Sequence, residues 1–409
     1  MDQRLWEERE KIYACWLCSF PAIRSRQLHR LYDIFGCMEG IYYAGREEWE
    51  KVLSPGQTEL LKEYTAAWRP KEAYCRIRDQ GFELVTFYDK AYPKRLKSIP
   101  DAPFFLFVRG KLPREDVPAV AVIGARECSE YGKFVAKQLG AVLGRCGVTV
   151  ISGMARGIDG ISQEEVLNVG GSSAGVLGCG ADICYPARNR DLYERLARQG
   201  AVLSAYPLGT PALKRNFPPR NRIVSGMADA VVVIEARVKS GTLITVDMAL
   251  EQGKEVYVVP GRVTDKLSEG CNRLIRQGAG VMLDPDAFVE ELWELWERKN
   301  GYFQDKAHST GRTVGKFTEN GWAESGGEAV TDSISRIQEG QRTAALPPEL
   351  EAVYKALDFE PRSAEEIRGK LPTEFRDRQI ITCLMKLCMD KWAFQVSPGR
   401  FCRKGDGGI

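Results

Sequence analysis

Histidine is nearly missing from this chain: among 409 residues there are only His29 and His308. Imidazole-based acid–base catalysis and a histidine-rich metal site therefore lack the residues they need. Long apolar runs are missing too. No window approaches the roughly 18 uninterrupted apolar residues of a membrane span, so no membrane partner is expected. Neither charge sign dominates: 58 Lys+Arg against 55 Asp+Glu leave a net +3. A polyanionic partner must then be argued from local clusters. The first residues, Met1-Asp2-Gln3-Arg4 with Glu7, Glu8 and Glu10 behind them, contain no apolar leader segment. The 12 cysteines are scattered, and without a leader they are expected as reduced thiols of a cytoplasmic protein. Cys15 and Cys18 form a lone CxxC with no second pair at zinc spacing, so they are expected to pack a helix and no metal is expected.

Catalytic signatures are equally scarce. There is no GxxxxGK[ST] phosphate loop and no GxSxG elbow, and Gly178-x-Gly180 lacks the third glycine of a dinucleotide fingerprint. Asp159, Asp182 and Glu235 are acids near the glycine-rich segments that could serve as general acids or bases. Asp159 and Asp182 are expected to cap or orient neighbouring arginines. Neither an enzyme nor a cofactor is expected.

The composition is that of a globular chain, with 44% hydrophobic, 10% aromatic and 28% charged residues. Residues 1–70 carry apolar side chains at helical spacing: Ile12 and Trp16, then Leu28, Leu31 and Ile34, then Trp49, Val52, Leu60, Leu61 and Tyr64. Breaks divide them into small helices, a helix-hairpin-helix-like or sterile-alpha-motif-like module. Either a DNA-contacting or a purely packing role fits it. Residues 71–118 form a lead-in with a strand expected at 82–87 and another short apolar run at 104–108. From 119 to 285 the rhythm changes. Strands are expected at 119–123, 148–151, 174–177, 201–205, 230–234, 255–259 and 281–283, with amphipathic helices such as 133–143, 191–198 and 243–252 between them. Apolar strands with helical crossovers imply an α/β fold with a mostly parallel sheet covered on both faces. The lead-in and this sheet make one domain, 71–299. A polar linker is expected at 300–345. In the last segment, 346–409, helices at 350–357, 364–371 and 376–389 and a hairpin at 392–403 form a winged-helix pattern that suits a protein partner as well as DNA.

Chemistry concentrates where the strands end. Gly124-Ala125-Arg126 follows the first parallel strand, Gly153-Met154-Ala155-Arg156 the second and Gly178-Cys179-Gly180 the third. Arg237-Val238-Lys239-Ser240-Gly241-Thr242 and Pro260-Gly261-Arg262 follow later ones. In a parallel sheet these ends share one edge, where open α/β sheets bind ligands. Glycine allows close backbone approach, and the following helix N-termini favour anions. Repeated cations there point to several phosphates. Lys214-Arg215-Asn216-Phe217-Pro218-Pro219-Arg220-Asn221-Arg222 lies in a stretch without acids from Arg195 to Ala228. It reads as a basic loop whose cations follow a single-stranded backbone while the ring, pre-set by the prolines, stacks on an unpaired base.

The motifs VIGARECSEYG (122–132), SGMARGIDG (152–160), GCGADICYPARN (178–189), NFPPRNRIVSG (216–226), SGTLIT (240–245), VVPG (258–261) and GCNRLIRQGA (270–279) resemble the DNA-processing protein A (DprA/Smf) family. The lead-in YPKRLKSIPDAPFFLFVRG (92–110) is similar as well. The resemblance implies an extended Rossmann-like domain that binds single-stranded DNA, forms a homodimer, protects incoming strands in natural transformation and helps load the RecA recombinase, with no catalytic reaction of its own. It places the phosphate-binding Arg on Arg126, the Lys and aromatic of the basic segment on Lys214 and Phe217, and the RNR run on Arg220, Asn221 and Arg222. Gly124, Gly153, Arg156, Arg215, Asn216, Lys239, Ser240, Gly241 and Thr242 complete the expected DNA-binding set. Two departures occur. Ser162-Gln163 stands where the family usually has Ala-His, and Ala125 replaces the more frequent Ser. The other function class considered is a nucleoside-monophosphate phosphoribohydrolase on a related sheet. Its PGGxGTxxE loop would fall at Ser240-Gly241-Thr242, but its Glu position falls on Thr245.

Overall fold

Apolar residues at three- and four-residue intervals build the first layer. The structure is a computed structural model that describes residues 3–20, 22–300, 347–358, 362–372, 375, 377–389, 393–397 and 400–403. It opens with α1 (Gln3–Cys18), α2 (Ser25–Phe35), α3 (Met38–Tyr43), α4 (Arg46–Trp49), α5 (Pro55–Ala67) and α6 (Pro70–Asp79). Trp16, Leu31, Met38, Ile41 and Leu61 are fully buried in one cluster. Cys15 and Cys18 are buried in the same cluster, and burial pushes the Cys18 thiol up to about 12. These cysteines are packing groups. The cluster also takes in Leu84, Phe105 and Phe107 of the lead-in strands, so the helical layer shares its core with the end of the sheet.

The sheet has nine strands: β1 (Glu83–Thr86), β2 (Phe105–Gly110), β3 (Ala119–Gly124), β4 (Thr149–Ser152), β5 (Ser173–Val176), β6 (Ala201–Ser204), β7 (Ala230–Ile234), β8 (Glu255–Val258) and β9 (Gly280–Val281). Their order is β1-β2-β6-β5-β4-β3-β7-β8-β9. From β6 to β9 all pairings are parallel, whereas β1 and β2 join the β6 side antiparallel. The lead-in is therefore part of the main sheet. Alternation along β3 shows why the strands read as unbroken apolar runs. Ala119, Ala121 and Ile123 face one core and Val120 and Val122 the other, and all five are buried.

Helices α7 (Lys94–Lys97), α11 (Phe217–Gly226), α12 (Gly241–Glu251) and α13 (Glu269–Arg276) cover the first face. Helices α8 (Glu130–Arg145), α9 (Ile158–Asn168), α10 (Arg190–Gln199) and α14 (Pro285–Lys299) cover the second. The chain runs outward from β3 through β4, β5 and β6, then returns to pair β7 on the other side of β3. The point of reversal lies between β3 and β7, where doubly wound sheets open a crevice.

Strand and helix expectations differ from the structure mostly by a residue or two at their ends. The strand expected at 281–283 is instead Gly280–Val281, and Leu283 is 79% exposed. Residues Met1–Phe303 make one compact unit and Gln304–Ile409 a second. In the second, helices Pro348–Ala356, Ala364–Arg368 and Asp377–Met389 enclose Leu350, Val353, Ile367, Leu384 and Leu387. Strands Arg362–Ser363, Ala393–Ser397 and Arg400–Arg403 form an antiparallel sheet with Arg400–Arg403 in the middle. The strand at 362–363 was not expected from the sequence. The linker expected at 300–345 lies outside the described residues apart from Asn300, as do His308, Trp392 and the turn residues Pro398 and Gly399.

Candidate nucleic-acid interface

At the reversal point between β3 and β7 the strand ends and helix N-termini enclose a cleft of about 830 Å³. Gly124 and Arg126 come from the end of β3, and Gly153 and Arg156 from the turn after β4. Phe217, Arg220 and Asn221 come from the first turns of α11, and Ser240, Gly241 and Thr242 from the start of α12. The Thr242 hydroxyl donates to the Gly124 carbonyl at 3.3 Å and ties α12 to β3. The Ser240 Oγ is buried without a partner among the described residues, beside the N-terminus of α12, whose first turn carries no acid. Ile123, Val224, Ile244 and Leu267 give the cleft apolar walls.

The cationic rim is formed by Arg126, Arg156, Lys214 and Arg237, all exposed. Arg156 pairs with Glu127 at 3.3 Å. Among the described residues no ion pair holds Arg126, Lys214 or Arg237, so their charge is available to a ligand. Phe217 is half-buried between guanidinium groups. The Arg126 carbon lies 5.8 Å and the Arg220 carbon 5.5 Å from its ring centroid, and the Tyr185 ring is 5.6 Å away. Behind it is Gly178, where a Cβ would meet the ring at 3.0 Å. That glycine makes room for the aromatic wall.

Under the rim is a buried polar layer. Arg220 is 4% exposed and donates to the carbonyls of Gly153 and Val176. Burial lowers its pKa, yet a guanidinium remains charged. Asp159, also buried, accepts from the Gly153 N–H at 3.2 Å. Burial raises its pKa, and the Arg220 charge works against that rise. A Cβ on Gly153 would meet Arg220 Nη1 at 2.6 Å and Asp159 Oδ2 at 2.7 Å, so only glycine fits between them. Two non-glycine residues adopt positive φ at this edge: Met154 at 52° and Glu235 at 59°. Gln163 braces the first. Its Oε1 accepts from Met154 N at 3.1 Å, and its Nε2 donates to Ser173 Oγ and to the Ala174 carbonyl, both at 3.1 Å. Fully buried and bonded, Gln163 supports the turn from beneath.

The acids near the cleft are likewise engaged. Glu235 accepts from the Ser129 N–H at 2.9 Å and from the Ser129 hydroxyl. Asp182 accepts from Gly209 N at 2.9 Å. Burial raises the Glu235 pKa, partly offset by Ser129. The folded state then holds this proton more tightly than the unfolded state. The stability it contributes is complete below the ordinary glutamate pKa and is lost as pH rises through the raised one. Glu235→Gln, which does not titrate, should therefore gain in Tm relative to the native chain as pH goes from about 5 to about 8. Thermal melts across that range would show a constant offset if Glu235 is not perturbed.

The structure brings together most, but not all, of the expected residues. Gly124, Arg126, Gly153, Arg156, Lys214, Phe217, Arg220, Asn221, Ser240, Gly241 and Thr242 line the cleft; Arg215, Asn216, Arg222 and Lys239 do not. The basic loop expected at 214–222 is a single 3-10 turn, Lys214–Asn216, running into α11. Proline needs no N–H partner in a first helical turn, so Pro218 and Pro219 start a helix where a stiffened loop was expected. Asn216 is buried, and its carbonyl accepts from the Tyr206 hydroxyl at 3.2 Å. Arg222 pairs with Glu251 at 2.9 Å and reaches the Pro100 carbonyl. Arg215 and Lys239 are exposed outside the cleft. Tyr185 was not expected from the sequence, and Arg237, though part of one cationic strand-end segment, was not counted in the expected DNA-binding set. Arg237 had a usable signal: Gly124 and Ile234 are paired in register, and Arg126 and Arg237 follow them at nearly the same offset.

A doubly wound sheet with helix N-termini and a cationic rim at its reversal point, three of the four rim cations in no ion pair among the described residues, defines a Rossmann-like protein. The sequence pattern of the family described as DNA recombination-mediator protein A matches residues 83–293, and the chain belongs to that family. It is 40% identical over 229 residues to the DNA processing protein DprA of Streptococcus pneumoniae, covering 54% of this chain and 80% of that one. It is also 40% identical over 223 residues to Protein Smf of Escherichia coli, covering 54% of this chain but only 60% of the relative's length. The X-ray structure of DprA from Streptococcus pneumoniae superposes with a TM-score of 0.60 at 30% identity, covering 68% of this chain and 97% of that one. Among the described residues no helix is long and apolar enough to cross a membrane.

Proposed function

We propose that this protein binds single-stranded DNA in the cleft between β3 and β7, without catalysing a reaction on it, and acts as a recombination mediator. The observation that carries this reading is the rim itself. Arg126, Lys214 and Arg237, none of them in an ion pair with a described residue, line the same cleft as the half-buried ring of Phe217 and its apolar walls, with Arg126 over the ring. Cations can follow phosphates while a ring receives an unstacked base, an arrangement suited to a single strand. The acids that a hydrolase would need are already bonded to Ser129, Gly153 and Gly209. At the position where the phosphoribohydrolase alternative requires Glu, Thr245 is buried and bonds back to the Gly241 carbonyl. On the family resemblance the protein is a cytoplasmic homodimer that protects incoming strands and helps load RecA in natural transformation. The helices and three-stranded sheet after Pro347 form a winged helix in this reading. A gel shift at fixed salt, with one oligonucleotide single-stranded and then annealed to its complement, tests the central point. Equal affinity for both forms would overturn it.

Phe217→Ala should weaken single-strand binding about tenfold, because base–aromatic stacking contributes about 1–3 kcal/mol per base. The salt dependence should barely change, since the ring holds a base and every phosphate keeps its cation. Titrations at several salt concentrations, with a melt alongside, check this. A lowered Tm with unchanged affinity would make the ring a plug on Gly178.

A further inference from the structure

A second cleft of about 320 Å³ opens beside the first. The two share Arg126, Glu127, Ala155 and Arg156, so they form one continuous depression that passes the start of α9. Beyond the shared residues the second cleft adds Lys133 of α8 and Arg188 of the turn before α10. Lys133 pairs with Glu130 at 2.7 Å, whereas Arg188 is exposed and in no ion pair among the described residues. Two acids also line this cleft, Glu127 and Glu164, against four cations. Glu127 stands at the junction, 81% exposed, and pairs with Arg156 at 3.3 Å. A small anion needs donors that converge on one point. Arg126 and Arg156 lie where the two clefts meet, and Lys133 and Arg188 line the second alone, so cations stand on both stretches of the depression, as successive phosphates of one chain require.

We propose that the second cleft is an exit track along which a nucleic acid strand held at Phe217 continues across the Glu127–Arg156 pair to Arg188. This rests on the reading of the main cleft as a single-strand site and extends it. A phosphate arriving at the junction displaces the Glu127 carboxylate from Arg156. An exposed ion pair is worth little, so the displacement costs little. Glu127 then lowers affinity more for strands long enough to cross the junction than for shorter ones.

The test is affinity against strand length, using oligothymidylates of about 4 to about 20 nucleotides, a range that brackets known single-strand site sizes. Arg188→Glu should leave the shortest bound strand within about twofold and weaken the longest about tenfold, with the long-strand salt slope falling by about 0.7 for each phosphate no longer held. Glu127→Gln, at the junction of the two clefts, should tighten long strands more than short ones. Arg126→Glu should weaken every length. If Arg126→Glu acts at every length but Arg188→Glu changes none, or changes all by the same factor, the track is wrong and the main site stands. If the native chain binds no strand of any length, both readings fall.

Discussion

Replacing Arg126 and Lys214 together with Glu should reduce single-strand affinity by more than about a hundredfold and leave the Tm nearly unchanged. Each side chain is exposed at the rim, and neither is held by an ion pair among the described residues. A hydrogen bond to a charged group contributes about 1.5–3 kcal/mol, and about 1.4 kcal/mol is a factor of ten. Two such contacts therefore exceed two orders of magnitude before the repulsion of the new carboxylates is added. Stability should move little, because both side chains are exposed and surface substitutions usually stay within about 0.5 kcal/mol. The comparison must be made at one salt concentration, since affinity for a polyanion varies steeply with it. Fluorescence anisotropy with a labelled single strand, paired with circular dichroism, gives both quantities. Unchanged affinity in a folded double variant would remove the cleft from the DNA path.

The parts of this site that were legible in the sequence are those that depend on local pattern. Unbroken runs such as 119–123 and 230–234 identify doubly covered strands, because a strand buried on both faces has no polar alternation. Glycine followed by a cation after those runs marks the reversal-point edge, and Arg126 and Arg156 lie there. Contacts made across long stretches of chain left no such trace. Arg220 reaches Gly153 and Val176, 67 and 44 residues away, and nothing in the residues around it distinguishes a buried guanidinium from an exposed one. The proline pair misled for a related reason: proline suits both a stiff loop and a first helical turn, and only the buried Ile223 and Val224 that follow decide for the helix. The pairing of β2 with β6 was hidden as well, since antiparallel partners so far apart in sequence share no periodic signal.

Arg220→Ala should lower the Tm by roughly ten degrees and weaken DNA binding only as a consequence. A surface phosphate ligand would behave in the opposite way. The Arg220 guanidinium is inside the protein, donating to two carbonyls at the ends of β4 and β5 and standing beside the buried Asp159. Its removal leaves both carbonyls without that donor and the Asp159 carboxyl without the charge that offsets its burial. Removing one member of a buried charged network typically costs about 3–5 kcal/mol. In a unit of this size each kcal/mol shifts the midpoint by about 2–4 °C. Arg220→Lys should fall in between, because an ammonium keeps the charge but cannot span two carbonyls with a planar fork. The same guanidinium lies 5.5 Å from the Phe217 ring and packs against Gly153, so its loss should also loosen the aromatic wall. Affinity measured well below the reduced Tm should then drop by no more than Phe217→Ala causes. Melts of the three chains and anisotropy at low temperature separate the cases. A Tm within about two degrees of the native chain, together with a loss of affinity as large as that of the Arg126 and Lys214 variant, would make Arg220 a direct phosphate ligand.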